Sequence, residues 1–207
     1  MLFALAMRID PKEHDSRKLY QLMLSCVTPR PIAWISTVSR RGVLNLAPFS
    51  FYNAITSKPP LLSVAIARRD GTRKDTAHNA STTREFVVNV VTERNLDHMV
   101  QTSGDYAPDV DEFAVVGLTP VPSALVKPPR VAEAPIAMEC RTREIFEISP
   151  GIVDLLIGEV VMFHIADELT VSAELTIAAE ELRPLARLGG EDYAALGLVS
   201  KRARPKV

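Results

Sequence analysis

Apolar positions fall into one helical stripe near the start and then into short alternating runs. Leu19, Leu22, Met23 and Cys26 recur at helical spacing, which predicts an amphipathic helix over residues 15–25. Pro29 and Pro31 push the residues before them into extended backbone, so this helix must end by Thr28. Residues 32–38 and 43–47 read as strands on either side of Ser39-Arg40-Arg41-Gly42, which predicts a hairpin. Residues 61–67 and 85–91 predict two more strands around a short helix at 75–82, with Asp75 as its expected N-cap. A second short helix is expected at 95–101, a proline-rich surface wrap at 108–135, and strands at 136–148 and 158–165. Helical segments do not separate every strand. The pattern therefore favours a mainly β fold with short helices, mostly antiparallel, over a doubly wound parallel sheet.

The 207 residues suit one folded domain with a sizeable core, and 47% hydrophobic with 24% charged residues is a globular balance. Three segments are expected: an N-terminal extension at 1–18, the domain at 19–194, and a basic tail at 195–207. With 24 Lys+Arg against 25 Asp+Glu there is no global positive field, so neither nucleic acid nor an anionic membrane is an expected partner. The longest apolar candidate, residues 152–165, is interrupted by Asp154 and Glu159 and falls short of a membrane span. Cys26 and Cys140 form no C-x-x-C pair, which points to a reducing, cytoplasmic setting with both thiols as small buried hydrophobes. Residues 1–7 are apolar but lack the basic region and cleavage site of a signal peptide; Met7 is an alternative start. The odd feature is 15 Pro against 9 Gly.

The sequence has no glycine-rich nucleotide loop, P-loop, zinc-protease helix or nucleophile elbow. His14, His78, His98 and His164 have no metal-ligand spacing. No catalytic residue and no metal ligand is assigned, and the hard chemistry is expected from a cofactor. Three segments concentrate hydroxyls, amides and cations at strand ends: residues 29–37, 45–53 and 68–76. Pro48 is expected to break its ladder and open an edge for a ligand, with Ser50 and Asn53 beside Phe49, Phe51 and Tyr52. A phosphomonoester favours a helix N-terminus with hydroxyls and a lysine, and Lys74-Asp75-Thr76 opens such a helix, with Ser36 and Thr37 on a neighbouring strand. The same spacing also suits solvated strand edges and caps. Trp34 is expected in the core.

Pro-Arg-Pro-Ile-Ala-Trp-Ile-Ser-Thr (29–37), Asn-Leu-Ala-Pro-Phe-Ser-Phe-Tyr-Asn (45–53) and Arg-Lys-Asp-Thr-x-x-Asn (73–79), in this order, resemble the flavin reductase-like proteins of the FMN-binding split-barrel class, flavoredoxin-type members included. The likeness continues through Phe86-Val87-Val88-Asn89-Val90-Val91, Asp111-Glu112-Phe113, Gly117-Leu118-Thr119-Pro120, Lys127-Pro128-Pro129-Arg130 and Gly158-Glu159-Val160-Val161 to Leu185-Ala186-Arg187-Leu188-Gly189-Gly190. It implies an FMN-binding split β-barrel that forms a homodimer with FMN near the interface. In this likeness Ser36 and Thr37 line the flavin and its phosphate tail, Asn45, Ala47, Pro48 and Ser50 pack along the isoalloxazine, and Lys74, Asp75 and Thr76 hold the phosphate end. Arg30 and Arg68 are secondary candidates. The implied activity is that of a flavoprotein oxidoreductase: an NAD(P)H-dependent flavin reductase passing hydride from NADH or NADPH to FMN, then electrons to free flavin, a partner monooxygenase or another acceptor. The alternative is an FMN-binding electron carrier or sensor without nicotinamide turnover. One departure favours the alternative: some members carry a nicotinamide-associated histidine before the late Gly-Glu-Val strand, where this chain has residues 151–157, without histidine.

Overall fold

The structure is a computed structural model that describes residues 7–205. The choice between Met1 and Met7 as start, and the last two residues of the basic tail, lie outside the described residues. In chain order the first half comprises α1 (Ser16–Cys26), β1 (Arg30–Pro31), β2 (Ala33–Val38), β3 (Leu44–Phe49), β4 (Tyr52–Ser57), β5 (Pro60–Ala67), α2 (Asp75–Thr83) and β6 (Glu85–Val90). The second half comprises α3 (Leu96–Gln101), α4 (Glu112–Val116), β7 (Pro120–Val121), β8 (Arg130–Val131), β9 (Ile136–Ser149), β10 (Val153–Ile165), α5 (Ala179–Leu182), β11 (Ala186–Arg187) and β12 (Tyr193–Ala194).

Seven strands form one antiparallel sheet in the order β3-β2-β6-β9-β10-β5-β4, with the small β1-β11-β12 sheet beside it. Alternation along β2 sends Ala33 and Ile35 to one side and Trp34 to the other. On the first side they join Ile66, Phe86, Val88, Cys140 and Leu156 and the α2 residues Ala77 and Ala80. On the second, Trp34 packs with Leu46, Val91, Met99, Phe113 and Leu185, and its indole N–H donates to Thr102 Oγ1 at 2.8 Å. Trp34 is thus a core residue with its polar edge satisfied.

The predicted hairpin, both short helices and the early strands are present, but several details differ. The ladder does not break at Pro48: β3 continues to Phe49 with Pro48 opposite Trp34, which an edge strand tolerates because one row of its amides needs no partner. Residues 52–57 form β4, the opposite edge strand, paired with β5. The N-cap of α2 is Lys74, and Asp75 is its first helical residue. The late strand begins at Val153 rather than 158, because residues 153–157 pair with β5 from Ala67 to Ser63; within it the fully buried Phe86 ring fills the space of the side chain Gly158 lacks. Cys140 is buried as expected, whereas Cys26 is exposed at the end of α1. The cause is the docking of α1, which buries Leu24 and leaves Tyr20, Leu22 and Met23 exposed.

Candidate functional site

An open cleft of about 630 Å³ lies between β3, the start of α2 and the segment after α3. Asn45, Ala47 and Pro48 on β3, the following Ser50, and Lys74, Asp75 and Thr76 at α2 all line it. Thr102–Tyr106 and Glu112 face them, and Tyr20, Arg187 and Tyr193 finish the mouth. Sequence reasoning thus brought together seven residues of one wall. Ser36 and Thr37 do not line the cleft; both are fully buried behind it.

The cross-strand pairing of Thr37 with Asn45 explains that placement. Asn45 Nδ2 donates to Thr37 Oγ1 at 3.1 Å and to Thr76 Oγ1 at 3.0 Å, and Asn79 Nδ2 donates to Thr37 Oγ1 at 3.0 Å. Buried amides and hydroxyls that satisfy one another tie β2, β3 and α2 into one rigid wall. Ser36 Oγ donates to the Pro129 carbonyl at 2.5 Å and accepts from Asn89 Nδ2, while Asn89 Oδ1 accepts from Val131 N. Ser36 therefore anchors the proline-rich wrap.

The cations near the cleft divide by partner. Arg68 grips Asp154 through Nε at 3.0 Å and Nη2 at 2.7 Å, and Arg73 adds two contacts of 3.2 Å to the same carboxylate. The Arg68 hydrogen bond holds the fully buried Asp154 below the usual carboxylate range against the opposing effect of burial, with Arg73 assisting. Arg68 is committed to this ion pair and to Glu147 at 2.9 Å, and it does not line the cleft. Arg30 is likewise committed to main-chain carbonyls, and Arg69 pairs with Asp105 at the cleft mouth. Lys74 has no ion-pair partner among the described residues.

The first turn of α2 receives no hydrogen bond from a capping side chain, so its N–H groups remain available at the cleft. An uncapped N-terminus on a nine-residue helix, an unpaired lysine, and the narrow apolar strip of Ala47 and Pro48 fit a ligand with a phosphate at one end and a flat ring system at the other. Ser50 Oγ accepts from Arg30 Nε at 3.4 Å, which leaves its own proton free to donate.

Glu112 was missed from the sequence as a site residue. It lines the cleft while accepting from Leu46 N at 3.1 Å, and burial, with Asp75 and Asp111 nearby, pushes its carboxyl up to about 7. The only local signal was an acidic pair opening a short helix. No histidine lines the cleft. His164 instead faces Glu139, which burial would raise but which the amides of Ala124 and Leu125 and His164 Nε2 hold low.

Residues 24–186 match the family described as the flavin reductase like domain. Nitrilotriacetate monooxygenase component B from Bacillus cereus superposes with a TM-score of 0.91 at 37% identity, covering 97% of this chain and 100% of that one. The 2-nitrobenzoate 2-nitroreductase NbaA from Pseudomonas fluorescens gives 0.88 at 31% identity, with 96% of each chain covered. A Shewanella frigidimarina protein with a split barrel domain, at 22% identity, shares the fold, with a TM-score of 0.85 over 97% of this chain and 100% of that one.

Proposed function

This chain belongs to the flavin reductase-like family, and from that premise we propose that it binds FMN in the cleft and passes electrons from NADH or NADPH to an acceptor. The observation that carries the reading is the uncapped start of α2, with the unpaired Lys74 beside the Ala47-Pro48 strip. Bound FMN would supply the hydride-accepting chemistry that no side chain provides. Lys74 and the first-turn amides of α2, Asp75 and Thr76 included, hold the phosphate end. Ala47 and Pro48 form the shelf for the ring, while Ser50 and Asn45 offer polar groups along it. Thr37 acts from behind by fixing Asn45, and Ser36 by fixing the wrap over β2. No general acid or base is needed for the hydride step, which depends on placement of two rings.

A homodimer with FMN near its interface is supported by exposed apolar residues: Tyr20 at the cleft mouth, Met23 on the same helix, Phe51 just before β4 and Ile55 on it. A monooxygenase partner is suggested by the B. cereus relative, itself a monooxygenase component. A cytoplasmic location fits two free cysteines, and among the described residues no helix is long and apolar enough to cross a membrane. The proposed domain, 19–194, has α1 crossing its first boundary.

The second reading, an FMN-binding carrier or sensor, is favoured by residues 151–157, where the turn into β10 carries no histidine. Anaerobic mixing of the flavin-loaded protein with NADH and then NADPH decides between them. Rapid bleaching is expected for the reductase; unchanged flavin establishes the carrier. A colourless protein that takes up no FMN overturns both.

A further inference from the structure

Glu112, the first residue of α4, is only 6% exposed, yet its side chain lines the cleft. Its Oε2 accepts from Leu46 N, on the edge strand next to Asn45. The donors to this carboxylate are backbone amides, those of Leu46 and of Glu112 itself; no lysine, arginine or hydroxyl reaches it among the described residues. The charges that act on it are acidic: Asp75 on the first turn of α2, and Asp111, the N-cap of α4, whose own carboxylate is occupied by the amides of Phe113 and Ala114. The cations lining the same cleft are directed elsewhere, Arg69 to Asp105 and Arg73 to Asp154, while Lys74 and Arg187 make no pair with Glu112. A buried carboxyl without a counter-charge therefore faces the end of the cleft best suited to a dianion.

We propose that Glu112 takes up one proton when a phosphate-bearing ligand seats at the start of α2, so that flavin phosphate affinity is coupled to the protonation of this single carboxyl. The inference rests on the FMN reading above. The arriving phosphate carries about −1.5 to −2 charges and adds a third like charge to the Glu112-Asp75 pair. The proton comes from solvent, forms an O–H bond on the carboxyl, and leaves every bond of the ligand unchanged. Because the free carboxyl is already pushed up to about 7, both of its forms are populated near neutrality and the ligand need only tip the balance. Above that pH, affinity falls by about tenfold per pH unit as long as the group is ionised in the free protein and neutral in the complex.

The test is titration calorimetry of FMN into flavin-free protein at pH 7, 8 and 9, each in two buffers of different ionisation heat. The expected result is net proton uptake from buffer with FMN but not with riboflavin, which lacks the phosphate. Affinity is expected to weaken across the series. In Glu112→Gln the uptake should vanish and the affinity should become flat, at least tenfold tighter than the parent at pH 9. Absence of proton uptake in the parent, or an equal pH slope in parent and variant, overturns the inference while leaving FMN binding intact. Failure to bind FMN at every pH overturns the FMN reading itself, and this coupling with it. The two-buffer proton count on the parent protein decides the matter even where the variant does not fold.

Discussion

Asn45 reaches the buried hydroxyl of Thr37 at 3.1 Å, so a residue on the cleft wall is held by one with no surface of its own. Thr37 Oγ1 also accepts from Asn79, which makes it the acceptor for two buried amides. Thr37→Val keeps the shape and removes the acceptor. Each stranded donor costs roughly 1–3 kcal/mol. Urea unfolding should show that loss, and FMN affinity should fall with it because Asn45 is then held by Thr76 alone. Thr37→Ser should recover most of both.

Lys74 tests the phosphate end. A charge-assisted hydrogen bond contributes about 1.5 to 3 kcal/mol, so Lys74→Ala should weaken FMN binding roughly ten- to a hundredfold. Riboflavin binding should be unchanged by the same substitution. Equal losses for both ligands in a fluorescence titration would remove Lys74 from the phosphate.

Asp154 governs the acid limb of stability. Its carboxyl lies below the ordinary value because of Arg68 first, despite burial, and then Arg73. The stabilisation is present above the unfolded value of about 4 and is lost as pH falls through the lower folded value. Asp154→Asn should lower the melting temperature at pH 7 and flatten its decline below pH 4 relative to the parent, as followed by circular dichroism.

Glu112 has the opposite sign. Its folded carboxyl is raised by burial to about 7, above the ordinary value of 4.5, so stability is full below the unfolded value, falls as pH rises from there through 7, and is level above it. Flavin-free Glu112→Gln should therefore melt several degrees above the parent at pH 8, with the two curves converging near pH 5.

A methyl group on Gly158 would press on Phe86 Cζ and lie 2.8 Å from Cε1. The ring is fully buried between strands and has no free end to swing away. Gly158→Ala should destabilise by roughly 1–3 kcal/mol through overpacking. Phe86→Leu in the same chain should recover part of that loss in a double-mutant cycle.

Much of the β architecture was legible because strand alternation and proline punctuation are local signals: Pro29 and Pro31 end α1, and Ser39–Gly42 turns the hairpin. The start of β10 five residues before Gly158 was less legible, since Asp154 interrupts the apolar run and its partner Arg68 lies eighty-six residues away. The wall built from Asn45, Ala47, Pro48, Ser50 and residues 74–76 was named through the family resemblance; the residues by themselves showed hydroxyls, amides and a lysine at strand and helix ends, a pattern that solvated edges and caps share. The commitments of Ser36 to Pro129, and of Arg68 to Asp154, were not visible, since they depend on which distant carbonyl or carboxylate the fold brings near. Glu112 escaped for the same reason: its environment is made by Leu46 and Asp75, neither of them close in sequence.

Arg30 has a consequence in time. Its guanidinium donates to the carbonyls of Leu24 in the last turn of α1 and Val27 just after it, and to that of Leu188 beyond β11, while Arg187 stacks 4.3 Å from the centre of the Tyr193 ring at the cleft mouth. A nascent chain that has emerged only as far as β10 already holds all seven strands of the large sheet, yet its clasp has no second half and its cleft lacks Arg187 and Tyr193 at the mouth. The share of the rim that Arg187 and Tyr193 supply is therefore added after the scaffold that supports it is complete.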